Sequence, residues 1–353
     1  VWNNTTNLII GRGGFGSLAI TNGGHLTSDG IRLADQATST NSILTIDGAG
    51  SSATVAGSLR IGFLGTAKMA IKNGGTLSSG SAEIGREAGA EGAVDVEGSG
   101  STWTTTGGGL VVGNSGRGFL AIFNGGKVSS DFGGLAAQTG SYAEVGVNGT
   151  GAQWNVAQKL SVGVRGEGKL YIDAGGVVTS ESSFIGDDVG SQGMVNVQGA
   201  GSTWTLTDAV AVGLGGTGIL SIANGGFVSS LSGSLAGNTG SLGTVTVAGA
   251  GSKWSLADAL TIGAFGEGLL EISAGGEVSN KNAIVGRNAT SAGTVKVYGA
   301  GSTWTNTDSV YVGGAGTGTV ILSQAGKMTV GGDLVIGANA GNPGTVIIGG
   351  KAG

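Results

Sequence analysis

Apolar and polar residues alternate along this chain in very short bursts, and glycine closes almost every burst. A representative stretch reads Leu160-Ser161-Val162-Gly163, then Gly168-Lys169-Leu170-Tyr171-Ile172, then Gly175-Gly176-Val177-Val178. The next stretch repeats the grammar with Ile185-Gly186, Gly193-Met194-Val195-Asn196-Val197 and a segment ending in Trp204. Alternation at a period of two places successive side chains on opposite faces of an extended strand. The pairs Leu18/Ile20, Met69/Ile71, Leu120/Ile122, Leu170/Ile172, Leu220/Ile222 and Leu270/Ile272 fall in one column of this pattern and are expected to point inward. The residues between them (Ala19, Tyr171, Ser221, Glu271) vary, as outward positions should.

The bursts belong to a repeat. Tryptophans stand at Trp103, Trp154, Trp204, Trp254 and Trp304, a spacing of 51, 50, 50 and 50 residues. Gly-Ser-Gly-Ser-Thr or Gly-Ala-Gly-Ser-Thr/Lys precedes four of them, Trp154 ends a weaker copy, and an earlier copy carries Ala53 in place of tryptophan. Trp2 lies eight residues before Ile10 as Trp204 lies eight before Val212, so the chain is expected to begin in mid-repeat. Each unit of about 50 residues divides into two similar halves, with apolar-Gly steps alternating between about 23 and 27 residues. Three strands and three glycine turns in about 25 residues make one rung of a triangular coil, and one rung cannot bury its own apolar face. The pattern therefore predicts an all-β chain: a right-handed parallel β-helix, or β-solenoid, of about 14 rungs from seven two-rung repeats, filling 1–353 as a single repetitive domain. A seven-bladed propeller with kelch-like units of similar length is the rival, but its blades need four longer strands.

Within the repeat, Asn22, Asn73, Asn124 and Asn224 each precede Gly-Gly, the signature of a tight turn at positive φ, and a partial amide ladder is expected there. The tryptophan column has two readings: exposed rings in a row would stack on sugars, whereas buried rings would form a structural ladder filling one corner of the coil. The column aligns with the inward position of Val178, which favours the structural ladder. Charge is confined to variable columns, one with Phe15, Thr66, Arg117, Glu167, Thr217, Glu267 and Thr317 and another with Asp208, Asp258 and Asp308. These are solvated turn and rim positions suited to presenting a surface.

Composition narrows the function. Of 353 residues 78 are glycine, about three times the usual ~7%, and there are one Pro, one His and no Cys, with a net charge of −5. Mild acidity gives no support to a nucleic-acid partner. No apolar run approaches the ~20 residues of a membrane span, so no membrane insertion of this segment is expected. The sequence Val1-Trp2-Asn3-Asn4 carries no signal peptide. Without cysteine there is no disulfide framework or thiolate site, and His25 alone cannot supply a multi-histidine zinc site or an ordinary Ser-His-Asp triad. Gly11–Gly16 and Gly213–Gly218 match G-x-G-x-x-G, but no βαβ unit surrounds either. Asp187-Asp188 is the best candidate for a glycosidase-type carboxylate pair, and it reads as a solvated turn. No catalytic, metal or cofactor residue is assigned.

The motifs Gly-Ala-Gly-Ser-Thr-Trp-Thr (199–205, 299–305), Leu-x-Ile-x-x-Gly-Gly-x-Val-Ser (220–229, 270–279) and apolar-Gly-x-x-Gly-x-Gly (162–168) resemble the passenger repeats of bacterial autotransporters (type V secretion), closest to the AIDA-like, self-associating adhesin group. The resemblance covers essentially the whole chain. It implies a fragment of a longer passenger, exported through the outer membrane by a C-terminal β-barrel and displayed at the cell surface. The resemblance points to a non-enzymatic adhesin acting in cell–cell aggregation or biofilm, or in attachment to a host or matrix surface, with glycans as possible partners. A carbohydrate-binding or polysaccharide-degrading β-helix is the alternative, and a purely structural spacer is a third reading.

Overall fold

A computed structural model describes residues 1–339, 341 and 343–350. All regular structure among them is β-strand, and the paired strands run parallel. The chain divides into two units, Val1–Ser180 and Glu181–Gly353. Both are built on one plan: a parallel β-solenoid with three strands in each turn.

In the first unit a turn consists of the long strand Arg117–Phe123 and the short strands Lys127–Ser130 and Gly133–Leu135, and the next turn repeats it as Tyr142–Asn148, Gln153–Val156 and Lys159–Val162. In the second unit Thr217–Ala223, Phe227–Ser230 and Ser232–Leu235 are followed by Leu242–Ala248, Lys253–Leu256 and Leu260–Ile262. Each unit contributes seven long strands among the described residues. A long strand pairs in register with its successor, Arg117 beside Tyr142 and Phe123 beside Asn148, or Thr217 beside Leu242 and Ala223 beside Ala248. Along such strands the backbone pairs with the strands one turn before and one turn after. This parallel pairing excludes the antiparallel blade of a propeller.

Two features differ from the sequence expectation. The two short strands of a turn belong to one bent sheet, and in the first turns they fuse. His25–Leu33, Ser52–Ile61 and Thr76–Ile84 each run through the corner as one strand, with a register slip between Ser28 and Ile31 and between Val55 and Ser58. A bulge bends a strand without ending it, so the coil has two sheets where the glycine punctuation suggested three faces. The turns are also equal in length to within one residue. Long strands begin at Arg117, Tyr142 and Glu167 in the first unit, and at Gln192, Thr217, Leu242, Glu267, Ala292 and Thr317 in the second, a uniform step of 25 residues. The alternation of 23 and 27 belongs to the third strand, and the second strand shows it more weakly, with steps of 24 and 26. Corners of two kinds shift these strands back and forth against a nearly constant long strand.

The core follows the alternation. Ile20, Met69, Ile71, Leu120, Ile122, Leu170, Ile172, Leu220, Ile222, Leu270 and Ile272 are buried, and Leu18, in a long strand paired on one side only, is half-buried. Each such side chain contributes about 1.5–3 kcal/mol before conformational entropy is charged against it. At the corner after each long strand Asn22, Asn73, Asn124 and Asn224 have φ between 52° and 55°, followed by a glycine also at positive φ. The corner of the tryptophan-bearing turn is held differently. Its serine is buried, and the Oγ atoms of Ser101, Ser252 and Ser302 accept the N–H of Gly74, Gly225 and Gly275 from the turn before, all at 3.0 Å. The Gly-x-Gly-Ser motif is thus a clasp between successive corners, satisfying a donor that the tight turn leaves free.

Candidate functional site

The tryptophan column lies inside the coil. Trp103, Trp154, Trp204, Trp254 and Trp304 are all 0% exposed. In the first unit the column runs Trp2, Leu26, Ala53, Leu77, Trp103, Val128, Trp154, Val178, and in the second Trp204, Val228, Trp254, Val278, Trp304, Met328. A tryptophan therefore alternates with an aliphatic residue, one indole every second turn. The indole N–H of Trp103 donates to Ser79 Oγ and that of Trp154 to Ser130 Oγ, both at 3.2 Å, and Trp304 donates to Asn280 Oδ1 at 2.9 Å. No sugar can stack on these rings without opening the coil. Acrylamide is accordingly expected to quench a single component of the intrinsic fluorescence, that of the half-exposed Trp2, and Trp2→Phe should abolish it. A quenchable signal surviving that substitution would show that the column is accessible.

A second column makes room for the indoles, and the sequence reading did not find it. One turn before each tryptophan of the repeat, the third strand carries a small residue facing inward: Ala82 before Trp103, Gly133 before Trp154, Ser183 before Trp204, Gly233 before Trp254 and Ala283 before Trp304. A Cβ on Gly133 would stand 2.8 Å from Trp154 Cζ2, and one on Gly233 would stand 2.7 Å from Trp254 Cζ2. Where Ala53 replaces tryptophan, the matching position holds the large, buried Ile31. The volumes are complementary: a large indole over a small residue, or a small alanine over an isoleucine. The signal was present in the sequence as a small residue 21 positions before each tryptophan, but only the coil register gives it meaning.

The remaining residues of chemical interest do not converge. His25 is exposed, with Nδ1 2.7 Å from Ser52 Oγ. Asp187 and Asp188 sit in the corner between Ser182–Ile185 and Gln192–Gln198, where Ser191 donates to the Asp188 carbonyl at 2.6 Å. Gly11–Gly16 and Gly213–Gly218 are corners that lead from strand to strand, and no helix follows either. Among the described residues no group of three His, Cys, Asp or Glu side chains is placed to hold a metal ion, and no helix is long and apolar enough to cross a membrane.

Chemistry concentrates instead on the outward positions of the long strands in the first unit. Successive turns there present Thr66, Lys68, Ala70 and Lys72, then Glu91, Ala93, Asp95 and Glu97, then Arg117, Phe119, Ala121 and Phe123. Next come Tyr142, Glu144, Gly146 and Asn148, then Glu167, Lys169, Tyr171 and Asp173. Lys72 pairs with Asp47 at 3.4 Å and Lys169 with Glu167 at 2.8 Å. The Arg117 guanidinium lies 4.8 Å from the centre of the Tyr142 ring and 5.6 Å from that of Phe119. Partial desolvation, then repulsion from Glu97, raises the Asp95 pKa above the usual carboxylate value. Desolvation and the hydrogen bond from its hydroxyl to Glu144 at 2.7 Å raise that of Tyr142. A second cluster lies at a corner, where Arg32, Arg60 and Arg86 surround the Phe63 ring at 4.9, 5.7 and 5.3 Å. Its guanidinium charges are balanced by Asp35, Glu83 and Glu87, so it is a self-contained network.

No family model and no curated protein matches this chain. A solved structure does. The crystal structure of the TibC-catalyzed hyper-glycosylated TibA55-350 fragment superposes with a TM-score of 0.55 over 99% of this chain and 99% of that one, at 20% sequence identity. The two chains share a fold. At this identity the likeness concerns the fold alone.

Proposed function

We propose that this chain is the passenger of an autotransporter adhesin, displayed at the bacterial surface, and that it works without catalysis by face-to-face association with a second copy. Support comes from three directions: the autotransporter-like repeat motifs, the fold shared with the TibA fragment, and the outward face of the long strands. The observation that carries the reading is on that face. One turn presents Lys68 and Lys72, and the next presents Glu91, Asp95 and Glu97. Adjacent turns lie about 4.8 Å apart. A two-fold axis standing between them sets the lysine row of one copy on the acidic row of the other, an isologous contact that closes on itself. Each exposed pair contributes under about 1 kcal/mol, so affinity has to come from repetition along the face.

Attachment to a host or matrix surface is the companion role of such a face. Hyper-glycosylation is a property of the TibA fragment; in this chain the outward Thr244, Thr246, Thr294 and Thr319 are the hydroxyls that such a modification would use.

The test is aggregation of beads carrying the chain. Native beads should clump at low salt and disperse as the screening length falls below about 10 Å near 0.1 M. Lys68→Glu with Lys72→Glu should prevent clumping, as should Asp95→Lys with Glu97→Lys, and mixing the two variants should restore it. Salt-independent clumping, or variants that clump like the native chain, would sink the assignment to this face.

A further inference from the structure

The same face carries a feature that the charge pairing does not use. Aromatic residues on outward long-strand positions of the first unit occur in three consecutive turns only: Phe119 and Phe123, then Tyr142, then Tyr171. The turns from Ser17–Thr21 to Glu91–Glu97 have none. All four residues are half-buried. Between them lies a floor of two small residues, Ala121 and Gly146, neighbours in register. A Cβ placed on Gly146 would meet nothing within 4 Å, so the floor has room for a larger side chain at its root. Phe119 and Glu144 border the floor on one side, Phe123 and Asn148 on the other, with Asp95 and Tyr171 at the two ends.

We propose that this trough binds an uncharged hexopyranose chain, through stacking on Phe119, Phe123 and Tyr171 and hydrogen bonds to Glu144, Asn148 and Asp95. Three observations select that ligand. The dimensions fit a short sugar segment: Phe119 and Phe123 are four residues apart on one strand, about 13 Å, and Asp95 to Tyr171 spans three turns, about 14 Å. That width is too great for the rings to cage a single ammonium group, whose attraction to a ring face fades beyond about 6 Å. The charge is wrong for a sialylated or sulfated glycan, because Asp95, Glu97, Glu144 and Asp173 border the trough, while Arg117 is engaged against Tyr142 and Phe119 and Lys169 against Glu167. Sugar hydroxyls donate well to carboxylates, and sugar C–H faces pack on aromatic rings. In the second unit a groove of about 420 Å³ is lined by Leu242, Thr244, Glu267, Leu269, Thr294 and Lys296 and has no ring to stack on. This inference extends the attachment role proposed above; it shares Asp95 with the acidic row and makes no use of the lysine row.

The experiment is calorimetric titration of the whole chain with maltohexaose, cellohexaose and mannohexaose, beside a heparin-derived hexasaccharide, sialyllactose and choline. At least one uncharged hexasaccharide should bind, and the charged probes should not. Gly146→Val fills the floor at an outward strand position where β-branched residues are favoured, so circular dichroism and thermal melting should be unchanged. Binding should weaken about tenfold or more, the equivalent of about 1.4 kcal/mol, and Tyr171→Ala should do the same. Lys68→Glu with Lys72→Glu should leave sugar binding intact while preventing bead clumping. No binding of any uncharged hexasaccharide, binding unaffected by Gly146→Val and Tyr171→Ala, or binding of the anionic probes or choline alone would each overturn the inference. Clumping that persists in those cases would leave the association reading standing.

Discussion

Gly133→Ile and Trp154→Ala should each destabilise the coil severely, and the two together should destabilise it less than the sum. The isoleucine would enter the space held by the Trp154 ring, which already stands 2.8 Å from where the first added carbon would be. Overpacking of this kind costs about 1–3 kcal/mol or more. The alanine would empty the largest side chain of a fully buried column, at a cost of about 3–5 kcal/mol. The pair recreates an arrangement the protein already uses, Ile31 one turn before Ala53. The double variant should therefore recover about 2 kcal/mol relative to additivity, within the range found for residues in direct contact. Denaturant unfolding of the four proteins measures it. Strictly additive costs would show that the indole and the small residue do not share one space. Because each turn touches mainly its neighbours, the loss should be felt locally, as faster proteolysis near Gly133 and Trp154.

The second large effect is expected at a corner. Gly213 has a φ of 70°, and a Cβ there would run into the carbonyl of Leu242, one turn away. Gly240 has a φ of 80° and open space around it. Valine at either site suffers the left-handed backbone, about 1–2 kcal/mol. Only Gly213→Val also forces the next turn away, so its loss should exceed that of Gly240→Val by about 2 kcal/mol or more. Ala236 holds the equivalent corner of the following turn at a φ of 58°, so a single methyl is tolerated in this column where the backbone has settled around it, and a branched side chain is the sharper probe. Equal melting temperatures for the two variants would mean that the turns separate more easily than their spacing implies.

These expectations separate what the chain makes legible from what it hides. The alternation Leu-x-Ile is local: one strand's two faces can be read from five residues, and Leu170 and Ile172 lie inside as the alternation requires. The 50-residue spacing of the tryptophans is equally plain, because a coil that stacks identical turns must return each residue type to the same place. The length of a turn was harder. Counting at the third strand gives alternating steps, and only pairings such as Arg117 with Tyr142 and Thr217 with Leu242 show that the turns are equal to within one residue. The clasp of Ser101 on Gly74 was visible as a motif without its reason, since its partner lies 27 residues away.

The candidate sites show the same division. Tryptophan is conspicuous in a sequence this poor in aromatics, and it drew the carbohydrate alternative to itself, yet all five repeat tryptophans are fully buried. The residues that crowd together outside, Phe119, Phe123, Tyr142 and Tyr171, are scattered over more than 50 positions and belong to no motif. By itself the sequence determined the strand faces, the glycine corners and the stacking of turns, because these follow from short-range alternation and from repetition. The tertiary structure decided which columns meet: the small residue under each indole, the lysine row beside the acidic row, and the open floor at Ala121 and Gly146. Register couples residues about 25 positions apart at a distance of about 4.8 Å, and no window along the chain contains both members of such a pair with the information that they touch.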